Sequence, residues 1–194
     1  MKITAKNGTL YGGKVVSYND KVVTLDENGN TLDFLMQDKA AENFEKCNVK
    51  EGTFITLFVV DGKVDNFKFT GRYDLLAEFK KKDTDETYTT RINVFVGMAA
   101  RVSKFDKLVQ VSMPVKKKED TEWYALNFFY GSTEEYPLDL GEKAELELTP
   151  VEGEAKKYFW AVTGAPRKFT DKKGKERETY TVRQFDTFVR EPKQ

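Results

Sequence analysis

The pattern of apolar and polar positions along this chain is that of short β-strands. Apolar and polar residues alternate over short runs, as they do in strands that are buried on one side. In the first half these runs are separated by Tyr18-Asn19-Asp20, Asn28-Gly29-Asn30 and Asp61-Gly62. Asn-Gly is the strongest short-range hairpin signal, so the punctuation predicts tight turns between antiparallel strands.

One segment of the first half has helical rather than strand periodicity. In the run DKAAENFEKCNV, apolar positions recur at three- and four-residue spacing, and Asp38 is a suitable N-cap. The positions predicted to be buried are Ala40, Ala41, Phe44 and Cys47, with Val49 as the alternative to Cys47. Strand, strand, strand, helix, strand, strand is the element order of an OB-fold, a small five-stranded Greek-key barrel.

The second half of the chain repeats this order. The matching segments are Val16–Leu25 with Val102–Val111, Leu32–Phe34 with Leu126–Phe128, Asn66–Gly71 with Phe159–Gly164, and Glu86–Arg91 with Glu178–Arg183. We therefore predict an all-β protein with one short helix, formed by two tandem OB-fold-like five-stranded Greek-key barrels. Domain 1 is expected at residues 1–97 and domain 2 at residues 98–194. In the second copy the run STEEYPLDLG stands where the first copy has the helix. It is short and interrupted by Pro, so no full helix is predicted there.

Comparison of the two copies predicts which side chains face outward. Side chains alternate across a strand, so regularly spaced apolar positions are expected to face the core. The predicted inward set is Leu32, Phe34, Met36, Phe67, Phe69, Tyr124, Leu126, Phe128, Tyr130, Tyr158, Trp160 and Val162. This assignment places Trp123, Phe129 and Phe159 on the outward side of domain 2. Large aromatic side chains facing solvent are costly to leave bare, so they indicate a binding surface.

Charge is balanced over the whole chain but concentrated locally. The 32 basic and 32 acidic residues create no overall field that attracts nucleic acid or a membrane. Arg167–Val189 has the pattern of a hairpin with a basic, Gly-containing tip, and Phe79–Val96 is a weaker version of it. The candidate phosphate-binding residues are Arg167, Lys168, Lys172, Lys173, Lys175, Arg183, Arg101, Lys80, Lys81, Lys82 and Arg91. Tyr18 and Phe105 recur at nearly equivalent turns, where each either caps its barrel or stacks on a base.

Composition argues against catalysis and metal binding. The chain has no histidine, and Cys47 is its single cysteine, so His-based catalysis and disulfides within one chain are excluded. Gly12-Gly13 lacks the Lys-Ser/Thr that follows in a phosphate-binding loop. We expect a protein that is not an enzyme and needs no cofactor or metal. No apolar run has the length of a signal peptide or a bilayer span, which favours a soluble, cytoplasmic protein without membrane contact.

The last hairpin combines a strand ending at Gly164, an arm bearing Arg and Lys, an Asp-Lys-Lys-Gly-Lys tip and a returning Tyr-Thr-Val-Arg strand. This combination resembles the closing hairpin of the bacterial and phage single-stranded DNA-binding protein family. The resemblance is clearest over Gly164–Val189, moderate over Met98–Gly164, and reaches the first half only through the repeat. It implies an OB-fold that binds single strands regardless of sequence and acts in DNA replication or recombination.

The chain departs from the familiar bacterial members of that family at its end. Those members recruit replication or recombination proteins through an acidic tail, whereas this sequence ends in the basic run TFVREPKQ. Recruitment by an acidic tail is therefore not expected. A compact tandem form is more suggestive of a phage protein.

Three interpretations of the outward aromatics remain open at the level of sequence. In the leading one, bases of single-stranded DNA stack on Trp123, Phe129 and Phe159 while basic residues contact phosphates. In the second, the aromatics are packing contacts, either between the two domains or in a structural or interaction module such as a phage structural component or a homodimer. In the third the polymer is RNA, because OB-folds bind either nucleic acid.

Overall fold

The structure is a computed structural model that describes residues 1–131 and 138–190. Most of the described chain is β-strand, and it contains two short helices. The prediction of an all-β protein is therefore confirmed, with one helix more than expected. Within the described residues, no helix combines the length and apolar character needed to cross a bilayer.

The first sheet is formed by the amino-terminal strands. They are β1 (Lys2–Ala5), β2 (Gly8–Asn19), β3 (Val22–Glu27), β4 (Asn30–Leu35), β5 (Phe54–Val60) and β6 (Lys63–Lys68). The strand order is β4-β3-β2-β5-β6, with β1 also paired to β2, and these ladders are antiparallel. An isolated parallel bridge joins Met36, just after β4, to Val64 in β6.

Three turns of this sheet adopt the left-handed backbone conformation. Both central residues have positive φ in Asp20-Lys21 (48° and 65°), Asn28-Gly29 (53° and 87°) and Asp61-Gly62 (49° and 76°). Positive φ at both positions characterises type I′ turns, whose twist matches that of the strands they join. The predicted turns at these places are confirmed.

Helix α1 (Asp38–Cys47) follows β4, as the periodicity predicts. Its buried residues are Ala40, Ala41 and Phe44. The N-cap is Gln37, one residue earlier than predicted, and Asp38 lies in the first turn, where the helix dipole favours a carboxylate. Cys47 is exposed, so its predicted burial is wrong, and the alternative residue, Val49, packs against the core.

The second sheet is formed by the rest of the strands. They are β7 (Gly71–Lys80), β8 (Thr87–Met98), β9 (Arg101–Lys104), β10 (Leu108–Lys116), β11 (Thr121–Phe129), β12 (Tyr158–Thr163), β13 (Arg167–Thr170) and β14 (Glu176–Phe188). The order is β7-β8-β12-β14-β11-β10-β9, with β13 paired to β14. β11 and β14 run parallel where Leu126 faces Tyr180 and Asn127 faces Thr181. Ala99 and Ala100 alone separate β8 from β9 in the chain.

A second helix, α2 (Leu140–Leu148), lies where the sequence pattern favoured no full helix. Most of the run STEEYPLDLG lies outside the described residues, and α2 begins near its end, beyond Pro137. Asp139 caps the helix, because its side chain accepts a hydrogen bond of 3.0 Å from the backbone N–H of Glu142. The helix buries Ala144 and Leu148.

The described chain divides into two compact units, each with its own hydrophobic core. Unit 1 comprises Met1–Phe69, Leu75–Thr90 and Arg190, and unit 2 comprises Thr70–Asp74 and Arg91–Val189. The predicted boundary near Gly97 therefore falls inside β8, most of which belongs to unit 2. The repeat placed this strand at the end of the first copy, whereas in the structure its larger part supplies a strand of the second unit.

The cores confirm most of the predicted inward residues. The confirmed set is Phe34, Met36, Leu126 and Phe128, which are buried, and Phe67, Phe69, Tyr124 and Tyr130, which pack against a core while partly exposed. Leu32 is 38% exposed, so its predicted burial is wrong. It lies on β4 at an end of the strand order, where apolar side chains on the outer face are tolerated.

The buried and exposed faces of strand β12 are the reverse of those predicted. Phe159 is fully buried, with its ring centroid 6.2 Å from that of Phe128, and Ala161 and Thr163 are buried on the same side. The half-buried residues of the other side are Tyr158, Trp160 and Val162. Both faces of β12 carry apolar residues, so alternation alone does not identify the core face.

Candidate nucleic-acid interface

The outward face of β9, β10 and β11 consists of rows of side chains from adjacent strands. The register pairs Pro114 with Trp123, Ser112 with Ala125, Gln110 with Asn127, and Leu108 with Phe129. Strand β9 extends two of these rows, with Arg101 opposite Ser112 and Ser103 opposite Gln110. Trp123 is 62% exposed and Phe129 40% exposed, as predicted. An aromatic side chain therefore lies at each end of the face, with polar and small side chains between them.

A groove separates part of this face from the β13–β14 hairpin. Its volume is about 510 Å³. The residues that line it are Gln110, Ser112, Trp123, Tyr124 and Ala125 from the sheet, and Phe169, Asp171, Glu176, Arg177, Glu178, Thr179 and Tyr180 from the hairpin. Phe169 is 46% exposed, so the groove has a solvent-accessible aromatic residue on each wall. A flat ring entering the groove would meet aromatic surface from the sheet and from the hairpin.

Two tyrosines anchor the groove to the core of unit 2. The ring centroid of Phe95 lies 5.1 Å from that of Tyr124 and 4.8 Å from that of Tyr180. Arg72 donates a hydrogen bond of 3.1 Å to the Tyr180 hydroxyl and stacks 5.5 Å from the Tyr124 centroid. Burial, together with the hydrogen bond to Glu122, raises the pKa of Tyr124 to about 12. Both rings are thus held in place by contacts within unit 2.

Asp171 builds the turn at the tip of the hairpin. Its Oδ1 accepts hydrogen bonds from the backbone N–H of Lys173 (2.9 Å) and of Lys175 (3.0 Å), and its Oδ2 accepts one from Nε of Arg177 (3.0 Å). These donors hold the pKa of Asp171 below its ordinary value, with the Lys175 amide the largest cause. Gly174 has φ of 73° and donates to the Asp171 carbonyl. The lysines that this ordered turn exposes are Lys172, Lys173 and Lys175.

The groove itself is not uniformly basic. Three carboxylates line it, those of Asp171, Glu176 and Glu178, against the single guanidinium of Arg177. Two of these carboxylates have cationic partners, since Asp171 pairs with Arg177 at 3.0 Å and Glu178 with Lys168 at 3.4 Å. Phosphates are therefore disfavoured inside the groove and favoured at the lysine-rich tip. Neutral aromatic rings are the groups that the interior suits best.

The structure brings together only some of the predicted site residues. Trp123 lines the groove, and Arg101 shares a row with Ser112, which also lines it. Phe159 is a core residue, so its predicted role as an exposed stacking residue is wrong. The other predicted residues of unit 2 lie on exposed strands or turns outside the groove lining: Phe105, Phe129, Arg91, Arg167, Lys168, Lys172, Lys173, Lys175 and Arg183. The guanidinium of Arg183 lies close to Gly164, since a Cβ added there would be 3.0 Å from it.

The predicted site residues of unit 1 lie near the end of β2 and around the β7–β8 turn. Lys80, Lys81 and Lys82 are exposed beside the β7–β8 turn, and Lys81 pairs with Glu86 at 2.5 Å. Tyr18 packs on Phe44 with a centroid distance of 4.7 Å and donates a hydrogen bond of 2.9 Å to Glu45. Of the two alternatives for Tyr18, these contacts support the capping role.

Trp123 is the one lining residue of the groove that the sequence analysis named as a site residue, and Phe169 and Gln110 are among those that it missed. Phe169 lies in the basic arm, whose Arg and Lys residues predicted phosphate contacts and not base stacking. A signal was present, because Phe169 alternates with charged and polar neighbours as an outward strand residue does. Gln110 carried no signal of its own, since its place in the groove depends on the register between β10 and β11.

Comparison with known proteins does not assign this sequence to a family. No protein-family model matches this sequence, and the comparison with curated proteins finds no match.

Proposed function

We propose that this protein binds single-stranded DNA without catalysis, through unit 2. The observation that carries the proposal is the groove between Trp123 and Phe169, which has an exposed aromatic residue on each wall and the lysine-rich tip beside it. Bases stack on aromatic side chains while basic residues follow the phosphates, which is the general chemistry of single-strand binding.

The strand pairings are compatible with an OB-like barrel in each unit, and this forms part of the proposal. In unit 2, β11 and β14 are parallel, while β12 lies between β8 and β14. In such a fold, ligands bind on the second and third strands, next to the loop between the fourth and fifth. If β10 and β11 correspond to the second and third strands, and the β13–β14 hairpin to the loop between the fourth and fifth, the groove corresponds to the ligand-binding position of such folds.

The charges of the groove suggest how the strand is oriented. Carboxylates of Asp171, Glu176 and Glu178 keep phosphates out of the interior, so bases enter and the backbone stays on the outside. There the phosphates meet Lys172, Lys173 and Lys175 at the tip. This division between stacking inside and ion pairing outside makes binding tolerant of sequence and sensitive to salt.

The resemblance of the last hairpin to the single-stranded DNA-binding proteins extends this proposal to a role in DNA replication or recombination, in the cytoplasm and in a phage-like setting. Partners would be recruited by surfaces other than an acidic tail.

The direct test is the affinity for fluorescent oligo-dT, measured by anisotropy. Loss of one stacked base costs about 1–3 kcal/mol, so Trp123→Ala and Phe169→Ala should each weaken binding about 5- to 150-fold. Leu146→Ala is a matched control, because Leu146 is 84% exposed on α2 and does not line the groove. Unchanged affinity of the Trp123→Ala/Phe169→Ala double variant would contradict the assigned site.

Salt dependence tests the role of the tip. Each phosphate neutralised on a single strand contributes about −0.7 to the slope of log K against log salt. Replacement of Lys172, Lys173 and Lys175 by Ala should therefore make the slope shallower by up to about 2. An unchanged slope would show that phosphates are contacted elsewhere. Parallel titrations with matched oligo-rU distinguish DNA from RNA as the preferred polymer.

The second candidate function is a protein-binding module. The observation that favours it is the set of three carboxylates in the groove, which suits a basic polypeptide segment. The exposed aromatic residues suit apolar side chains of such a partner. Sizing chromatography with and without oligo-dT separates the two. Self-association that is insensitive to DNA, with no anisotropy change, would support the module, and a DNA-induced shift would support the leading proposal.

A further inference from the structure

The groove of unit 2 lies where two neighbouring parallel strands separate. The ladder between β11 and β14 consists of two pairs, Leu126 with Tyr180 and Asn127 with Thr181. Towards their amino-terminal ends both strands continue without pairing to each other, and residues of these two segments line the groove. The groove is therefore bordered on each side by the edge of a strand.

The edge of β11 presents unpaired main-chain groups to the groove. On β10, the Ser112 carbonyl accepts a hydrogen bond of 3.0 Å from the Ala100 N–H, so the main-chain groups of Ser112 point away from β11. Ser112 and Ala125 thus form a non-hydrogen-bonded pair, and so do Pro114 and Trp123 two residues farther along, in keeping with the missing N–H of proline. The N–H and C=O of Trp123 therefore point away from β10, towards the groove.

The facing edge of β14 has the same property. β13 pairs with the opposite edge of this part of β14, and the Asp171 N–H donates a hydrogen bond of 2.9 Å to the Lys175 carbonyl. Main-chain groups alternate between the two edges of a strand, so those of Glu176 and Glu178 point away from β13, towards the groove. Among the described residues, no hydrogen bond reaches the main-chain groups of Trp123, Glu176 or Glu178.

These edges and the charges beside them suit a basic polypeptide. An unpaired edge is a template for a further strand, and because β11 and β14 are parallel, one inserted strand has the same orientation to both. A polypeptide has N–H donors and C=O acceptors on both of its edges, whereas a sugar-phosphate backbone has no N–H. The lining carries three carboxylates against the guanidinium of Arg177, and Glu176 has no ion-pair partner among the described residues. Lysine and arginine side chains of a partner complement that charge.

We propose that the groove also binds an extended, basic polypeptide segment, which inserts as a strand between β11 and β14. The main chain of the segment pairs with Trp123 on one side and with Glu176 and Glu178 on the other, while its cationic side chains meet the carboxylates. This inference goes beyond the proposed function, because it requires no nucleic acid. Since bases and the inserted strand occupy the same groove, the segment competes with single-stranded DNA.

The probe for this proposal is a fluorescein-labelled peptide of three Lys-Val repeats, whose affinity is measured by anisotropy. In an extended peptide the Lys residues direct their N–H groups to one edge and the Val residues to the other. N-methylation of either set therefore removes the donors of one edge and keeps the charge. At least one methylated peptide should bind about fivefold or more weakly, because the Glu176 and Glu178 carbonyls lose their donors. Amide hydrogen exchange of Trp123 and Glu178 should slow when the unmodified peptide is added, and that of Lys118, in the exposed β10–β11 turn, should not.

Charge reversal gives a matched pair of variants. Glu176→Lys should weaken binding of the peptide about two- to fivefold, and Glu152→Lys, at an exposed position outside the lining, should leave it unchanged. No peptide binding, or equal binding of methylated and unmodified peptides, would overturn the inserted strand. Protection of the Trp123 and Glu178 amides that rises with protein concentration before any peptide is added would assign the groove to a second copy and overturn the choice of partner. Oligo-dT titration of the same protein tests the proposed function separately, since either ligand can bind without the other.

Discussion

Replacement of Phe159 by Ala separates a core residue from a binding residue. The ring is fully buried in unit 2, and its neighbour across the sheet on β8 is Gly97, which contributes no side chain to fill the space. A buried Phe→Ala change costs about 3–5 kcal/mol, because apolar burial is lost and a cavity remains. Trp123→Ala removes a side chain that is 62% exposed, so its cost in stability is expected to stay below about 1 kcal/mol.

Urea unfolding followed by tryptophan fluorescence measures this difference in unit 2 specifically. Both tryptophans of the chain, Trp123 and Trp160, belong to that unit. With a typical slope of about 1–3 kcal/mol per molar urea, Phe159→Ala should move the midpoint down by more than 1 M, as a rough estimate. Circular dichroism of the same samples checks that the fluorescence change reports unfolding.

The two variants should show opposite profiles. Phe159→Ala lowers stability and, at urea-free low temperature, leaves the oligo-dT affinity of the remaining folded protein near wild type. Trp123→Ala lowers affinity and leaves the urea midpoint in place. A Phe159→Ala protein with an unchanged midpoint and a lost affinity would refute the placement of Phe159 in the core.

Three further predictions concern single contacts. Gly13→Ala should destabilise unit 1 by about 1–3 kcal/mol in thermal unfolding, because the added Cβ would lie 2.4 Å from the Asp26 carbonyl oxygen. Replacement of the exposed neighbour, Lys14→Ala, is the control. Equal melting temperatures of the two variants would contradict the close contact. Folding raises the pKa of Tyr18 and of Tyr124 to about 12, so their contribution to stability is complete below pH 10, about the ordinary tyrosine pKa, and is lost as the pH rises through about 12. Absorbance at 295 nm and pH 11 should then report fewer tyrosinates in the folded protein than in the same sample after denaturant is added. The pKa of Asp171 is lowered in the folded chain, so its support of the tip is present above the ordinary Asp pKa and is lost as the pH falls through the folded value. Asp171→Asn should accelerate amide hydrogen exchange at the tip at neutral pH, and unchanged exchange would contradict its role.

The local features of the fold were predictable because they depend on neighbours in the chain. Turn residues such as Asn28-Gly29 and the apolar spacing of α1 specify their own conformations, and the structure has them where the sequence indicates. Helix α2 was missed because Pro137 and its surroundings weighed against a helix that begins only at Leu140. Its capping residue, Asp139, is followed three residues later by Glu142. This spacing is a signal for a helix N-terminus, and the sequence analysis did not use it.

The orientation of a central strand is harder to infer. Outward Trp123 was predictable because β11 has one apolar and one mixed face, so the exception stood out. β12 is apolar on both sides, and matching its residues to β6 by similarity shifted Phe159 to the wrong face. A shift of one residue exchanges the two faces of a strand, so an alignment error of one residue assigns every side chain of that strand to the wrong face. The groove combines residues from β10, β11 and a hairpin far along the chain, and that combination depends on pairing between distant strands.

The division of β8 between the two units limits how the chain can be cut. Residues 93–98 of β8 pair with β12 along its full length. A fragment that starts at residue 98 keeps β12 but loses the strand on one of its sides. The exposed N–H and C=O groups of β12 would then form a new sheet edge, which pairs readily with other chains. Expression of residues 98–194 alone is therefore expected to yield aggregates or strand-exchanged oligomers, whereas a fragment that starts ahead of β8 keeps this edge covered.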